Sequence, residues 1–322
     1  MFHQRALGTF MRTFLIALGL AASLMAADFP QADIANGMVR AKLYLPDTQN
    51  GYYRATRFDW SGVVASLEYK GHSYFGVWFP RYDPKLHDSI TGPVESFSAL
   101  WFDDAKPGDT FVRIGVGVLR RPDERKVNDF FTYDIVDSGK WATKTRDDSV
   151  ESTQTLPGVY VYRKTVRLEK GKPMLVIEHS LRNTGKKVIE TDVFNHDFYM
   201  LDGKPTGPDL TVTFPFNVKV DLSSPALAEM RGKQLVYLKE LEPRQTVSGW
   251  MTGFGATAAD YDFRIENRKT GAGVRQTGDH PLSKINYWSI RTTACPEGYN
   301  HLRVEPGKEI RWRISYEFYE VK

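Results

Sequence analysis

The chain has 322 residues, a formal charge of +4, 13% aromatic residues and a single cysteine, Cys295. That length suits one large domain or two small ones, and one cysteine excludes an intrachain disulfide, so the fold rests on core burial. The charge is nearly balanced, and no run of lysine or arginine follows a backbone, which argues against a nucleic-acid partner.

The first segment reads as a leader. Arg5 and Arg12 precede an apolar run at 14–25, small residues follow at Ala26 and Ala27, and Asp28 is the first acid. This is the pattern of a secretory signal peptide over residues 1–26, and it places the mature chain, 27–322, in the periplasm or outside the cell. The run is shorter than the ~20 apolar residues of a spanning helix, so no membrane insertion is expected after cleavage. Loss of Arg5 and Arg12 lowers the formal charge from +4 to +2.

Beyond the leader, period-two alternation dominates. Trp60–Leu67 reads as an opening strand, closed by a turn at Lys70-Gly71 that leaves His72 exposed. Arg120, Arg121 and Arg125 read as solvated loop charge, with an acidic sugar as the competing partner. Leu175, Ile177, His179 and Leu181 alternate with Val176, Glu178, Ser180 and Arg182; Val212 through Val220 and Ile310 through Phe318 repeat the pattern. Each such strand has one apolar face, as in antiparallel sheets packed on one side. Turns fall at 169–173, 183–185 and 305–308, and Ala226–Arg231 could form a short helix. Strands spaced about 8–12 residues apart through residues 27–322 predict an all-β fold, a single large antiparallel sandwich.

The segment Asn195-His196-Asp197-Phe198-Tyr199-Met200-Leu201-Asp202-Gly203 gathers a histidine, an amide, aromatic rings and carboxylates after a strand. This is the composition of a sugar pocket, in which rings stack on C–H faces and polar groups hold hydroxyls. The segment resembles the Asn-His-x-Tyr-Phe-Asn-Leu-x-Gly motif of the aldose 1-epimerases (galactose mutarotases). The likeness extends to Leu156-Pro-Gly158, Tyr162–Leu168 and Leu175–Asn183 upstream, and to Ala294-Cys-Pro-Glu297, Val304–Trp312 and Ile314–Phe318 downstream. It implies the galactose mutarotase-like supersandwich and a cofactor-free, metal-free isomerase that interconverts sugar anomers.

On that resemblance His196 matches the family's general acid and Glu297 its general base, the two expected on different edges of one pyranose. Asn195, Phe198 and Tyr199 flank the histidine as substrate contacts. Trp288 and Arg291, with Tyr299 and His301, belong to a sugar-facing segment around Glu297. The family's second histidine, in a His-Gly-Gly setting, and its Gly-Arg-x-x-Asn-Arg segment are missing here. Arg57, Glu95 and Arg113 are the candidates to replace their contacts, and His87 is a further pocket candidate. The implied partner is a mono- or oligosaccharide, bound by a monomer or weak dimer. Two other readings stand beside this one: a carbohydrate-binding protein without turnover, and a polysaccharide lyase abstracting a proton beside a uronate.

Overall fold

The computed structural model describes residues 29–321, so the expected leader lies outside the described residues. Twenty-two strands form among them. In chain order they begin β1 (Gln31–Ala35), β2 (Val39–Tyr44), β3 (Val63–Tyr69), β4 (His72–Phe75) and β5 (Val94–Phe97). Next come β6 (Thr110–Arg113), β7 (Gly117–Arg120), β8 (Ile135–Asp137), β9 (Lys140–Arg146), β10 (Ser149–Leu156) and β11 (Tyr160–Leu168). The middle holds β12 (Met174–Asn183), β13 (Ile189–His196), β14 (Leu210–Thr213), β15 (Ala228–Arg231) and β16 (Gln234–Tyr237). The last six are β17 (Thr246–Met251), β18 (Asp262–Asn267), β19 (Ala272–Gly278), β20 (Lys284–Ile290), β21 (Thr293–Val304) and β22 (Glu309–Glu320).

Two sheets make the sandwich. One has ten strands in the order β15-β16-β14-β18-β19-β22-β12-β11-β10-β9, the other five in the order β17-β20-β21-β13-β5, and every pairing is antiparallel. Their facing sides supply the core: Tyr162, Leu181 and Trp312 from the larger sheet meet Phe97, Val193 and Leu302 from the smaller. Sheets of four strands (β1–β4) and three strands (β6–β8) complete the fold. A further apolar layer, including Tyr53, Phe58, Trp60, Trp78, Ile90, Phe111 and Phe198, packs on the outer side of the five-stranded sheet. No helix among the described residues is long and apolar enough to cross a membrane.

Three local expectations are corrected. The helix expected at 226–231 is strand β15, which pairs with β16 through a two-residue turn whose Gly232 takes φ +61°. A tight hairpin with glycine in the left-handed region satisfies the backbone here better than one isolated helical turn would. The strand expected from Val212 to Val220 ends at Thr213. Pro215 has no N–H to give the ladder, so pairing stops there. His72, expected exposed, is partly buried with Nδ1 2.9 Å from Asp202 Oδ2.

A buried polar knot lies between the sheets. Glu95 Oε1 accepts hydrogen bonds from Asn195 Nδ2 (2.9 Å) and His179 Nε2 (2.9 Å), and Lys164 Nζ pairs with Glu95 Oε2. Lys164 also donates to the Ser61 carbonyl at 2.8 Å and lies 3.7 Å from Asp59. All four ionisable side chains are inaccessible to solvent. Burial alone would raise Glu95, but the Lys164 ammonium and His179 outweigh it and hold the carboxyl down at about 2. Burial raises Asp59, with Lys164 opposing.

Candidate active site

Strand register assembles the site. On the outer face of the five-stranded sheet, Trp250 is opposite Asn286 and Asn286 opposite Glu297. Extending the Phe194–Tyr299 register by two residues brings His196 opposite Glu297, and His196 is itself opposite Val94. Alternate residues share a face, so His196, Glu297 and Asn286 form one cross-strand row. His196 Nε2 lies 3.2 Å from Glu297 Oε1, and Asn286 Nδ2 donates to Glu297 Oε2 at 2.8 Å.

These groups form the floor of a cavity of about 210 Å³. Pockets for drug-sized ligands run about 300–1,000 Å³, so this one suits a single sugar ring. Trp288, Tyr299, Phe194 and Trp78 supply aromatic walls; Arg57, Asp88, Asp129 and Phe130 close it from the loops. Both loop carboxylates are tied. Asp88 Oδ1 accepts from Arg57 Nη1 at 2.5 Å, and Asp129 Oδ1 accepts from Arg113 Nη2 at 2.6 Å.

The imidazole is held rigidly. Phe198, which adopts φ +49°, stacks on it at 3.7 Å and 10°, and Trp78 stacks on the far face of Phe198 at 4.5 Å. Phe58 and Trp288 meet the ring edge-on, each at 5.6 Å. Nδ1 of His196 is buried with no partner among the described residues, and such an orphan needs a reason at a functional site.

Burial governs the protonation of the pair. It pushes Glu297 up to about 7, against the Asn286 hydrogen bond and the Arg57 charge, and it holds His196 well below 6.5, with Arg57 adding to the effect. Both directions favour one proton resting on Glu297 beside a neutral imidazole. Cys295, two residues away, is a fully buried thiol raised by desolvation, which removes it as a nucleophile.

Of the residues singled out by sequence, His196, Glu297, Trp288, Tyr299 and Arg57 line this cavity, whereas His301 stands outside it, with Nδ1 2.9 Å from Asp192. The expectation that acid and base occupy different edges of a pyranose is corrected: they touch, because adjacent strands place them side by side. Asn195 faces the inner side of the sheet, where it meets its cross-strand partner Glu95, since consecutive strand residues face opposite ways. Glu95 lies in the buried knot for the same reason. Tyr199 is in the core, its hydroxyl donating to Gln276 at 3.0 Å. Phe198 sits under the imidazole and away from the cavity; Arg113 is 1% exposed and acts through Asp129. Arg291 stands at the β20–β21 turn, bonded to Glu240 and the Leu241 carbonyl. Five residue steps separate it from Asn286, roughly 16 Å. His87 lies beside the site, with Nδ1 3.0 Å from Asp88.

Sequence reasoning missed Trp78, Asp88, Asn286, Asp129, Phe130 and Phe194. Asn286 had a signal, since it shares a strand face with Trp288 two residues on. The loop residues had none, because only the fold brings 78, 88 and 129 together.

No protein-family model and no curated protein matches this chain in sequence. Its fold does match solved structures. A galactose mutarotase-like protein from Lactobacillus casei is 13% identical, with 90% of this chain and 100% of that chain covered and a TM-score of 0.53. A galactose mutarotase related enzyme from Lactobacillus acidophilus is 12% identical, covering 91% and 99% with a TM-score of 0.54. A Synechocystis protein is 14% identical, covering 91% and 97% with a TM-score of 0.55. The chain therefore has the galactose mutarotase-like β-sandwich fold.

Proposed function

We propose that this protein interconverts the anomers of a neutral sugar by acid–base catalysis at His196 and Glu297. The observation that carries the proposal is the 3.2 Å contact between the two at the floor of a ring-sized aromatic cavity. Fold alone would not suffice.

The chemistry needs two proton transfers at one carbon. A base takes the proton from the hydroxyl on C1 while an acid gives one to the ring oxygen; the C1–ring-oxygen bond breaks and an aldehyde forms. Rotation about the C1–C2 bond and reclosure with the transfers reversed yield the other anomer. Both oxygens are bonded to C1, so two catalytic groups in contact can serve them together. Ring opening swaps which partner holds the proton and closing swaps it back, so the pair needs one proton and no exchange with water. Below about pH 7, before a sugar binds, that proton rests on Glu297, which makes Glu297 the acid and His196 the base for the first transfer. This reverses the roles implied by the family resemblance.

The electrostatics favour an uncharged substrate. Arg57 is engaged by Asp88 and Arg113 by Asp129, so an incoming carboxylate or phosphate would find its cations already paired. A lyase acting beside a uronate fits this wall poorly. The leader pattern at residues 1–26 puts the activity in the periplasm or outside the cell, and an exported protein beginning near Ala27 by N-terminal sequencing tests that part.

The test of the activity is polarimetry on freshly dissolved α-anomers. His196→Ala and Glu297→Ala should each abolish catalysed mutarotation. Full activity in both variants eliminates the assignment. Saccharide binding with no rate above background in the wild type would make the protein a binding module of the same fold.

A further inference from the structure

Two cavities share a wall. Asp129 and Phe130 line the catalytic cavity, and both also line a second cavity of about 440 Å³ under the loop 122–133. Ten large hydrophobic side chains are exposed among the described residues, and five of them, Val127, Phe130, Phe131, Ile135 and Val136, fall within 127–136. A patch of apolar surface concentrated beside a polar site marks an interaction surface. The lining is mixed: Phe102, Val127, Phe131 and Tyr133 supply apolar surface and rings beside Phe130, and Asp123, Arg125, Lys126 and Asn128 supply polar groups. Rings for C–H faces and polar groups for hydroxyls make up the catalytic cavity's composition, repeated next door.

We infer that the second cavity is a subsite for the inner residues of a neutral reducing oligosaccharide whose terminal pyranose occupies the His196–Glu297 cavity. The inference rests on the proposed anomerase reading and names its substrate class. Ring opening requires a free hydroxyl at C1, so a longer substrate can extend only from another carbon of that ring. The catalytic cavity holds one ring, and the wall formed by Asp129 and Phe130 is where the chain leaves it. Phe130 stands on this border, 59% exposed as a residue, with the Arg57 guanidinium 4.7 Å from its ring centroid. Arg125 is held by Asp123, and the exposed Lys126 ammonium is a donor for sugar hydroxyls at the cavity rim.

The experiment compares neutral reducing trisaccharides of glucose, galactose, mannose and N-acetylglucosamine with the monosaccharide that each ends in. Anomerisation is followed by NMR exchange and affinity by calorimetry, in wild type, Phe131→Ala and Lys126→Ala. At least one trisaccharide should exceed its monosaccharide in kcat/KM or affinity by about tenfold, the scale of one well-packed contact group. Both variants should bring that ratio down toward one. Lys126 is exposed, so its variant keeps the test valid where Phe131→Ala disturbs the loop. Ratios of one or below across the panel overturn the subsite and leave the anomerase reading standing. Tighter trisaccharide binding without turnover, lost in the variants, keeps the subsite and removes the anomerase. Neither binding nor turnover of any sugar removes both.

Discussion

Replacing Glu297 with glutamine should stabilise the protein at alkaline pH while removing its activity. Glutamine copies the protonated carboxyl. Its carbonyl can accept from Asn286, as Oε2 does at 2.8 Å, and its amide can donate to the neutral His196 Nε2 that lies 3.2 Å from Oε1. The native carboxyl is raised by burial from 4.5 to about 7, so the folded state keeps a proton that the unfolded chain releases as pH rises past 4.5. Between those values the unfolded state binds fewer protons, and stability falls with increasing pH. The cost is absent well below 4.5, about 1 kcal/mol at pH 5 and about 3 kcal/mol at pH 8, at about 1.4 kcal/mol per tenfold step. Urea unfolding of both proteins at pH 5 and pH 8 measures it: the advantage of Glu297→Gln should grow by about 2–3 kcal/mol between them. Mutarotation should drop about 10²–10⁴-fold, the usual worth of a general acid or base. A stability difference that does not change with pH would refute a proton held on Glu297, and full activity would refute its role.

Three further outcomes are expected. The wild-type pH–rate profile should decline above about pH 7 as Glu297 loses its proton, and on the acid side only below 6.5, because burial holds His196 down; a rate that climbs through pH 7 to an alkaline plateau contradicts the one-proton pair. Lys164→Met should cost about 3–5 kcal/mol in thermal or urea unfolding, since it strands the buried Glu95 and Asp59 carboxyls. Joining it to Glu95→Gln should recover part of that loss, and a single variant as stable as wild type would show that the knot is not charged as described. Gly92→Ala should destabilise by about 1–3 kcal/mol and slow mutarotation together. Its β-carbon would lie 2.5 Å from the His196 carbonyl oxygen and 2.6 Å from that of Asp197. Unchanged unfolding in that variant would show that the end of β13 yields freely.

Strand periodicity and turn chemistry are local properties of the chain, so the sandwich is legible in the order of its residues. The proposed catalytic pair is legible through a motif around His196 and a matching segment around Glu297. Proximity in the motif misleads for its neighbours. Asn195 and His196 are consecutive strand residues, so one enters the core and the other the cavity. The same alternation would have excluded Asn195 and promoted Asn286. Phe198 and Tyr199 lie past the strand's end, where the left-handed backbone at Phe198 breaks the alternation, so their directions could not be read from period two. Trp78, Asp88 and Asp129 reach the site through loop paths with no short-range signal.

The order in which the site's strands meet has a kinetic consequence. β5, β13 and β21 are neighbours in the sheet but come from residues 94–97, 189–196 and 293–304. Each pairing closes a loop of nearly a hundred residues, while hairpins such as β10–β11 and β20–β21 close over a few. Non-local pairings are the slow part of β-protein folding. On refolding from urea, recovery of the proposed mutarotation should therefore lag the return of strand signal, and that turnover would become a clock for the last long-range closure of the chain.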